Sequence, residues 1–197
     1  MMRSIFDSLQ GSWFFERRLE NFSGTLLGSL RGTACFNPQS PDILHYQEEG
    51  TWIDALDAKL LNKKIKMSKE YLYCYQTESN TIEKHFSESG IDKGLFCSLN
   101  FESSGPEEQS LYCNGQDSSA TETVLVAHAE HLCSRDLYKA TQRYYCDPQN
   151  CVWRIDLEYE VRGPQKGYIT KTVFCRQCSY GIATINISSA VPAVSTR

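Results

Sequence analysis

The sequence has no apolar stretch approaching the roughly 20 residues that a helix needs to cross a lipid bilayer. We therefore expect no membrane span. The first residues, MMRSIFDSLQG, lack the apolar core of a secretory signal, and Asp7 follows Arg3 too closely for a typical transit peptide. Both absences favour a cytoplasmic location.

Clustered positive charge is scarce as well. The 197 residues carry a formal net charge of -4, and the densest basic stretch, 62–66, holds only three lysines. Affinity for nucleic-acid phosphates comes from clustered lysine and arginine. We therefore expect no nucleic-acid partner.

The nine cysteines are odd in number and scattered along the chain. In a secreted protein at least one of them would stay unpaired. The simpler interpretation is reduced thiols in the cytosol, several of them acting as small apolar side chains.

Helical periodicity is confined to one short segment, residues 3–9, before Gly11. Alternation with a period close to two then continues through most of the chain, which indicates β-strands. No helical stretch is long enough for a βαβ unit, and no internal repeat is visible. The pattern predicts strands at 12–21, 28–36, 43–53, 64–77, 81–88, 94–102, 123–133, 137–146, 151–161 and 167–176.

About ten short strands with one amino-terminal helix predict an all-β fold, an antiparallel barrel, because closure removes exposed sheet edges. A β-sandwich is the main alternative. We expect one domain over residues 1–178 and a carboxy-terminal tail over 179–197. Residues 103–121 are rich in Ser, Gly and acidic residues and predict a long loop.

Alternation also predicts which side chains face the interior. Most inward sets are aromatic or aliphatic, for example the set that runs from Trp153 to Val161 on every second residue. Three polar residues fall on inward faces: Arg17, Glu48 and His131. Either Arg17 and Glu48 form an internal ion pair beside a core histidine, or these groups converge on a ligand pocket with apolar walls.

Metal binding and thiol chemistry have weaker support. On one strand His128 points away from His131 and Cys133, so this segment cannot supply three ligands to one ion. Cys133 beside His131 also has poor geometry for a nucleophile and its base. A four-thiolate zinc site would need two pairs with unusual spacing, Cys146 with Cys151 and Cys175 with Cys178. We predict no metal site, and the sequence does not indicate which cofactor, if any, the protein binds.

Several motifs occur together in the order of a known family. They are Gly11-Ser-Trp13, Tyr46-Gln-Glu48-Glu-Gly50, His131-Leu-Cys133-Ser-Arg-Asp136-Leu-Tyr138, Gly163-Pro164-Gln-Lys166 and Arg176. In this order the chain resembles the uncharacterised domain-of-unknown-function family 6314 over residues 10–176. The resemblance implies a calycin-type barrel, similar in shape to lipocalins, and no activity. Gly167 stands where the family commonly has an acidic residue, which weakens a role for that loop.

Three functions are consistent with these residues. The first is binding of a small, partly apolar and anionic ligand, with Arg17 and Arg176 holding its acidic group. The wall of that pocket would contain Tyr71, Tyr73, Tyr75 and Trp153. The second is a lyase or isomerase in which His131 acts as the general acid–base catalyst together with Glu48 and Tyr138. The third is a non-catalytic subunit whose surface docks a protein partner and whose barrel is filled by its own side chains.

Overall fold

The computed structural model describes residues 2–54, 65–102 and 123–176. One helix, α1 (Met2–Ser8), precedes ten strands, and every strand is antiparallel to its neighbours. The strands are β1 (Gly11–Glu20), β2 (Leu26–Ser40), β3 (Ile43–Asp54), β4 (Ile65–Gln76), β5 (Thr81–Glu88), β6 (Ile91–Phe101), β7 (Thr123–Cys133), β8 (Asp136–Cys146), β9 (Val152–Arg162) and β10 (Gly167–Arg176).

The sheet is a closed barrel, with β1 paired to β2 on one side and to β10 on the other. The all-β barrel with a short amino-terminal helix is therefore confirmed, and the sandwich alternative is wrong. No helix in the described residues is long and apolar enough to cross a membrane. The predicted loop 103–121 and the tail 179–197 lie outside the described residues.

The interior follows the predicted alternation over most of the barrel. Trp13 and Phe15 on β1, and Leu44 and Tyr46 on β3, are buried, while Phe14 between the first two is exposed. Adjacent side chains on a strand point to opposite faces, so the barrel wall separates the two sets. The buried face is largely aromatic.

Helix α1 closes one end of the barrel. Ile5, Phe6 and Leu9 are completely or almost completely buried there, and the Trp13 indole Nε1 donates a hydrogen bond to the Leu9 carbonyl at 2.9 Å. The core just above this end is tightly packed, and only a void of about 10 Å³ lies beside Leu9 and Phe36. We call this the helix end of the barrel.

Arg176 completes the helix end from the outside. Its guanidinium lies 4.6 Å from the centre of the Trp13 ring and donates to the carbonyls of Val152, at 2.8 Å, and Gln10, at 3.0 Å. These contacts join the last strand, the first strand and the segment after α1. Arg176 is thus a structural cap of the closed end.

An ion pair crosses the interior between β1 and β3. Arg17 donates from Nη1 and Nη2 to the two carboxylate oxygens of Glu48, each at 2.8 Å, and from Nε to Thr172 on β10 at 2.9 Å. The Tyr46 hydroxyl donates to Glu48 at 2.5 Å. Burial disfavours the charged carboxylate, yet the Arg17 and Tyr46 bonds lower the pKa of Glu48 below its ordinary value. The internal pair of the first explanation is present, and the same two residues also line a cavity in the barrel.

We expect Glu48→Gln to reduce the free energy of unfolding by about 3 kcal/mol or more at neutral pH, because it leaves a buried guanidinium without its counter-charge. Urea denaturation measures this loss. The wild-type contribution is present above the unfolded-state pKa of about 4.3 and disappears as the pH falls through the lower folded-state pKa.

The matched control is Glu130→Gln, which removes an exposed partner of Lys139 on the outer surface. Exposed pairs contribute at most about 1 kcal/mol. If both variants lost at most about 1 kcal/mol of unfolding free energy, the Arg17–Glu48 pair would not be a major source of stability.

Candidate functional site

A cavity of about 310 Å³ occupies the half of the barrel opposite α1. This volume lies at the lower end of the range of small-molecule sites, about 300–1,000 Å³. Side chains from nine of the ten strands, all except β2, form its wall, and about half of them are aromatic. The wall includes Tyr46, Tyr71, Tyr73, Phe86, Phe96, His131, Tyr138, Tyr159 and Phe174, with Arg17, Glu48 and Lys84 among them.

Lys84 is a buried charged group of this wall, and no carboxylate of the described residues forms an ion pair with it. It lies on β5 between Ile82 and Phe86, which share its inward face, and only 4% of its surface is exposed. Its ammonium lies 3.7 Å from the ring centre of Tyr71 and 3.5 Å from the Tyr159 hydroxyl. A lysine buried among aromatic rings without a counter-charge is rare in a core.

Aromatic rings surround the Lys84 ammonium. The ring centres of Tyr73, Phe96 and Tyr159 lie 5.4–5.8 Å away, in addition to the closer Tyr71 ring. The faces of these rings attract a cation, which offsets part of the desolvation cost. Burial still disfavours the ammonium and lowers the pKa of Lys84 to about 8.

The open end of the barrel carries two further lysines, Lys69 and Lys166, at the edge of the cavity. Lys166 donates a hydrogen bond to the Tyr138 hydroxyl at 2.5 Å. Tyr168 lies beside this pair and makes a side-chain hydrogen bond with Tyr138. With Lys84 and the Arg17–Glu48 pair, the cavity is lined by four basic side chains and one carboxylate, so its formal charge is positive.

The turn that carries Lys166 is fixed by Asp136. This carboxylate is buried, accepts a hydrogen bond from the Gln165 backbone amide at 3.2 Å and packs against Gly163. A Cβ on Gly163 would lie only 2.0 Å from the carboxylate oxygen, so the position accepts no larger residue without a shift. The two sequence motifs, which end at Tyr138 and Lys166, therefore meet at the open end of the barrel.

His131 also faces the cavity, as the alternation predicts. Its ring lies between Phe96, at 4.5 Å between centres, and Phe86, at 5.5 Å. Neither neighbour can exchange a proton with the imidazole. Glu48 is held by Arg17, and the Tyr138 hydroxyl accepts from Lys166.

Of the predicted ligand-binding residues, Arg17, Tyr71 and Tyr73 line the cavity. Tyr75 does not: it lies at the helix end, where its ring is 5.7 Å from Phe6 and its hydroxyl donates to Asn80. Alternation alone placed all three tyrosines on one face. It could not show how far along the strand the cavity extends, and Tyr75 lies beyond it, against Phe6 of α1.

Trp153 and Arg176 are also placed away from the cavity. The pairing of β8 with β9 contains a β-bulge. Tyr145 pairs with Arg154 and Cys146 pairs with Val152, so Trp153 has no partner on β8. Bulges reverse the alternation of a strand, so Val152 is buried and Trp153 lies outside on Tyr145, at 6.0 Å between ring centres. Arg176 contacts Trp13 at the helix end, so it does not hold a ligand with Arg17.

The residue that the face prediction missed is Lys84. The strand itself was predicted at the correct bounds, 81–88, and alternation over Ile82, Lys84 and Phe86 gives the signal that points the lysine inward. No group of three or more His, Cys, Asp or Glu in the described ranges is placed to hold a metal ion. Cys178 of the four-cysteine zinc alternative lies outside those ranges.

Comparison with solved structures gives only distant likenesses. EF1p2_mFAP2b bound to DFHBI has a TM-score of 0.35 and 12% identity, covering 90% of this chain and 100% of that one. The redesigned beta barrel b11L5F_LGL has a TM-score of 0.36 and 13% identity, covering 87% and 93%. The redesigned beta barrel mFAP1, bound to DFHBI, has a TM-score of 0.32 and 12% identity, covering 89% and 100%.

No curated protein matches the sequence. Residues 9–176, which span β1 to β10 and both motifs at the open end, match the model of the Family of unknown function (DUF6314). The chain therefore belongs to the DUF6314 family.

Proposed function

We propose that this protein binds a small, partly apolar anionic molecule inside its barrel. The observation that carries the proposal is Lys84, a buried ammonium that faces a cavity of about 310 Å³ without a carboxylate partner among the described residues. A bound anion supplies the missing counter-charge, and the aromatic wall contacts the apolar part of the ligand. The rim lysines, Lys69 and Lys166, favour entry of the same charge.

Arg17 has a different place in this proposal from the one that the sequence predicted. Both of its Nη atoms face Glu48, and its Nε faces Thr172. A guanidinium bound in this way has little charge left for a ligand, because Glu48 already neutralises it. Lys84 therefore takes the anion-binding role, with Tyr71 and Tyr73 as wall residues.

A calycin-type, lipocalin-like barrel in a reducing compartment is part of the same proposal. Support for the barrel type comes from one end closed by α1 and a cavity open at the other, an arrangement suited to a single small ligand. Support for the compartment comes from the cysteines, since the thiols of Cys35, Cys74, Cys97, Cys133 and Cys151 are free.

The alternatives have less physical support. A lyase or isomerase would need Glu48 or Tyr138 to be available beside His131, but Glu48 is bound by Arg17 and Tyr138 by Lys166. A barrel filled by its own side chains, expected of a non-catalytic subunit, would leave no cavity of this size. We keep ligand binding as the proposal.

The test uses two probes of one shape, 2-naphthoate and its uncharged analogue 2-naphthamide, with dissociation constants measured by calorimetry. We expect the wild-type protein to prefer the carboxylate. Lys84→Met should weaken 2-naphthoate by at least about tenfold, roughly 1.4 kcal/mol, and change 2-naphthamide little.

Lys139→Met is the matched control, because Lys139 points outward from β8. It should leave both affinities unchanged. Two results would contradict the proposal. One is equal affinity of the wild-type protein for the two probes, and the other is a dissociation constant weaker than about 1 mM for both.

The pH dependence of binding gives a second prediction. Because Lys84 is an ammonium below its pKa of about 8, affinity for 2-naphthoate should be high near neutral pH and fall as the pH rises above that value. The affinity for 2-naphthamide should stay level. The titratable groups around Lys84 come from five strands, and they are Arg17, Glu48, Lys69, Tyr71, Tyr73, Cys97 and Tyr159.

Most of these groups do not titrate in the same range. Burial raises the pKa of Tyr71 to about 12 and that of Tyr159 well above its ordinary value, and it also raises that of Cys97. Lys69 is the remaining cation, so the series is repeated on Lys84→Met. A slope that persists in this variant would assign the titration to Lys69 and count against Lys84.

A further inference from the structure

Lys84 has the surroundings of a reactive amine as well as those of a buried cation. Lys84 lines the cavity, and its stem is held on β5, where Ile82 and Phe86 share its inward face. The only hydrogen bond of this amine among the described residues is the long one, 3.5 Å, to the Tyr159 hydroxyl. Its nitrogen is therefore not engaged with a carboxylate.

We propose that Lys84 captures aldehydes that enter the barrel by forming an imine with them. This inference rests on the proposed function and narrows its ligand class to small apolar carbonyl compounds, including those that also carry an acidic group. An aldehyde carbon can approach the amine from the cavity, and the aromatic wall then encloses the apolar part of the molecule.

The chemistry needs no further reagent. The lone pair of the neutral amine attacks the carbonyl carbon and forms the carbon–nitrogen bond, while the carbonyl π electrons move to oxygen, which takes a proton. The hydroxyl then takes a second proton, the one that the ammonium released to become the neutral amine. The carbon–oxygen bond breaks, water leaves, and the nitrogen lone pair forms the carbon–nitrogen double bond. Starting from the ammonium, the products are the protonated imine and one water molecule.

Tyr159 is placed to move the proton in this step. Its hydroxyl lies 3.5 Å from Lys84 Nζ, and burial raises its pKa well above the ordinary value, so it stays neutral and passes a proton only by accepting one as it gives one. The cavity wall also shields the imine from bulk water, which would return it to the aldehyde. Tyr159 is thus a proton-relay candidate within the same site.

Burial also favours the neutral amine that the attack requires. With its pKa lowered to about 8, Lys84 is neutral in roughly a tenth of molecules at pH 7, about two hundredfold more than an ordinary lysine. Desolvation in an apolar pocket is a general means of activating lysine toward carbonyl groups. The geometry and the protonation state therefore favour the same reaction.

The experiment treats the full-length wild-type protein with 2-naphthaldehyde and sodium cyanoborohydride, which reduces an imine to a stable amine. Peptide mapping by mass spectrometry then compares the Lys84 peptide with those of two surface lysines, Lys139 and Lys171. We expect the naphthylmethyl group on Lys84 at least about tenfold more than on either control, given its larger neutral fraction. Labelling of Lys84 no greater than that of the controls overturns the proposal.

Protection by 2-naphthoate distinguishes this proposal from the broader one. If the carboxylate binds in a Lys84-dependent manner but the aldehyde does not label Lys84, imine capture is wrong and anion binding stands. If the aldehyde labels Lys84 but the carboxylate neither binds nor protects it, anion binding is wrong and imine capture stands. When both hold, 2-naphthoate lowers the labelling of Lys84 and leaves that of Lys139 unchanged.

Discussion

Closure of the sheet between the first and last strands is the constraint on which the structure depends. Eight residue pairs join β1 to β10, from Trp13 opposite Arg176 to Glu20 opposite Ile169. Closure gives every strand one face toward a common interior, so a charged residue on that face must find its partner there or remain alone. Arg17 spans this seam, since it bonds both to Thr172 on β10 and to Glu48 on β3.

The interior contains two different solutions for a buried cation. Arg17 has a bidentate carboxylate and a hydroxyl, so its charge is compensated within the protein. Among the described residues, Lys84 contacts aromatic faces and one distant hydroxyl, and burial lowers its pKa to about 8. The first arrangement stabilises the barrel. The second leaves a buried positive charge that a bound anion could compensate.

The two ends of the barrel differ in how tightly they are packed. At the helix end, α1, Trp13 and Arg176 form a packed cap that leaves almost no void. At the open end, Asp136 fixes the turn beside Gly163 and brings Lys166 to Tyr138 at the edge of the cavity. Residues that are far apart in the sequence thus contact each other at both ends of the barrel: Trp13 and Arg176 at one end, and Tyr138 and Lys166 at the other.

The alternating pattern by itself determined the strands, the barrel and most inward residues, because side-chain direction on a strand has a period of two. It placed Arg17, Glu48 and His131 inside and contained the signal for Lys84. Only the tertiary structure decided what each inward residue meets, because that depends on depth and register. A bulge turned Trp153 outward, and the closed end removed Tyr75 from the cavity. A contact across the interior between β1 and β3 neutralised Arg17, while Lys84 on β5 lines the cavity without such a partner among the described residues.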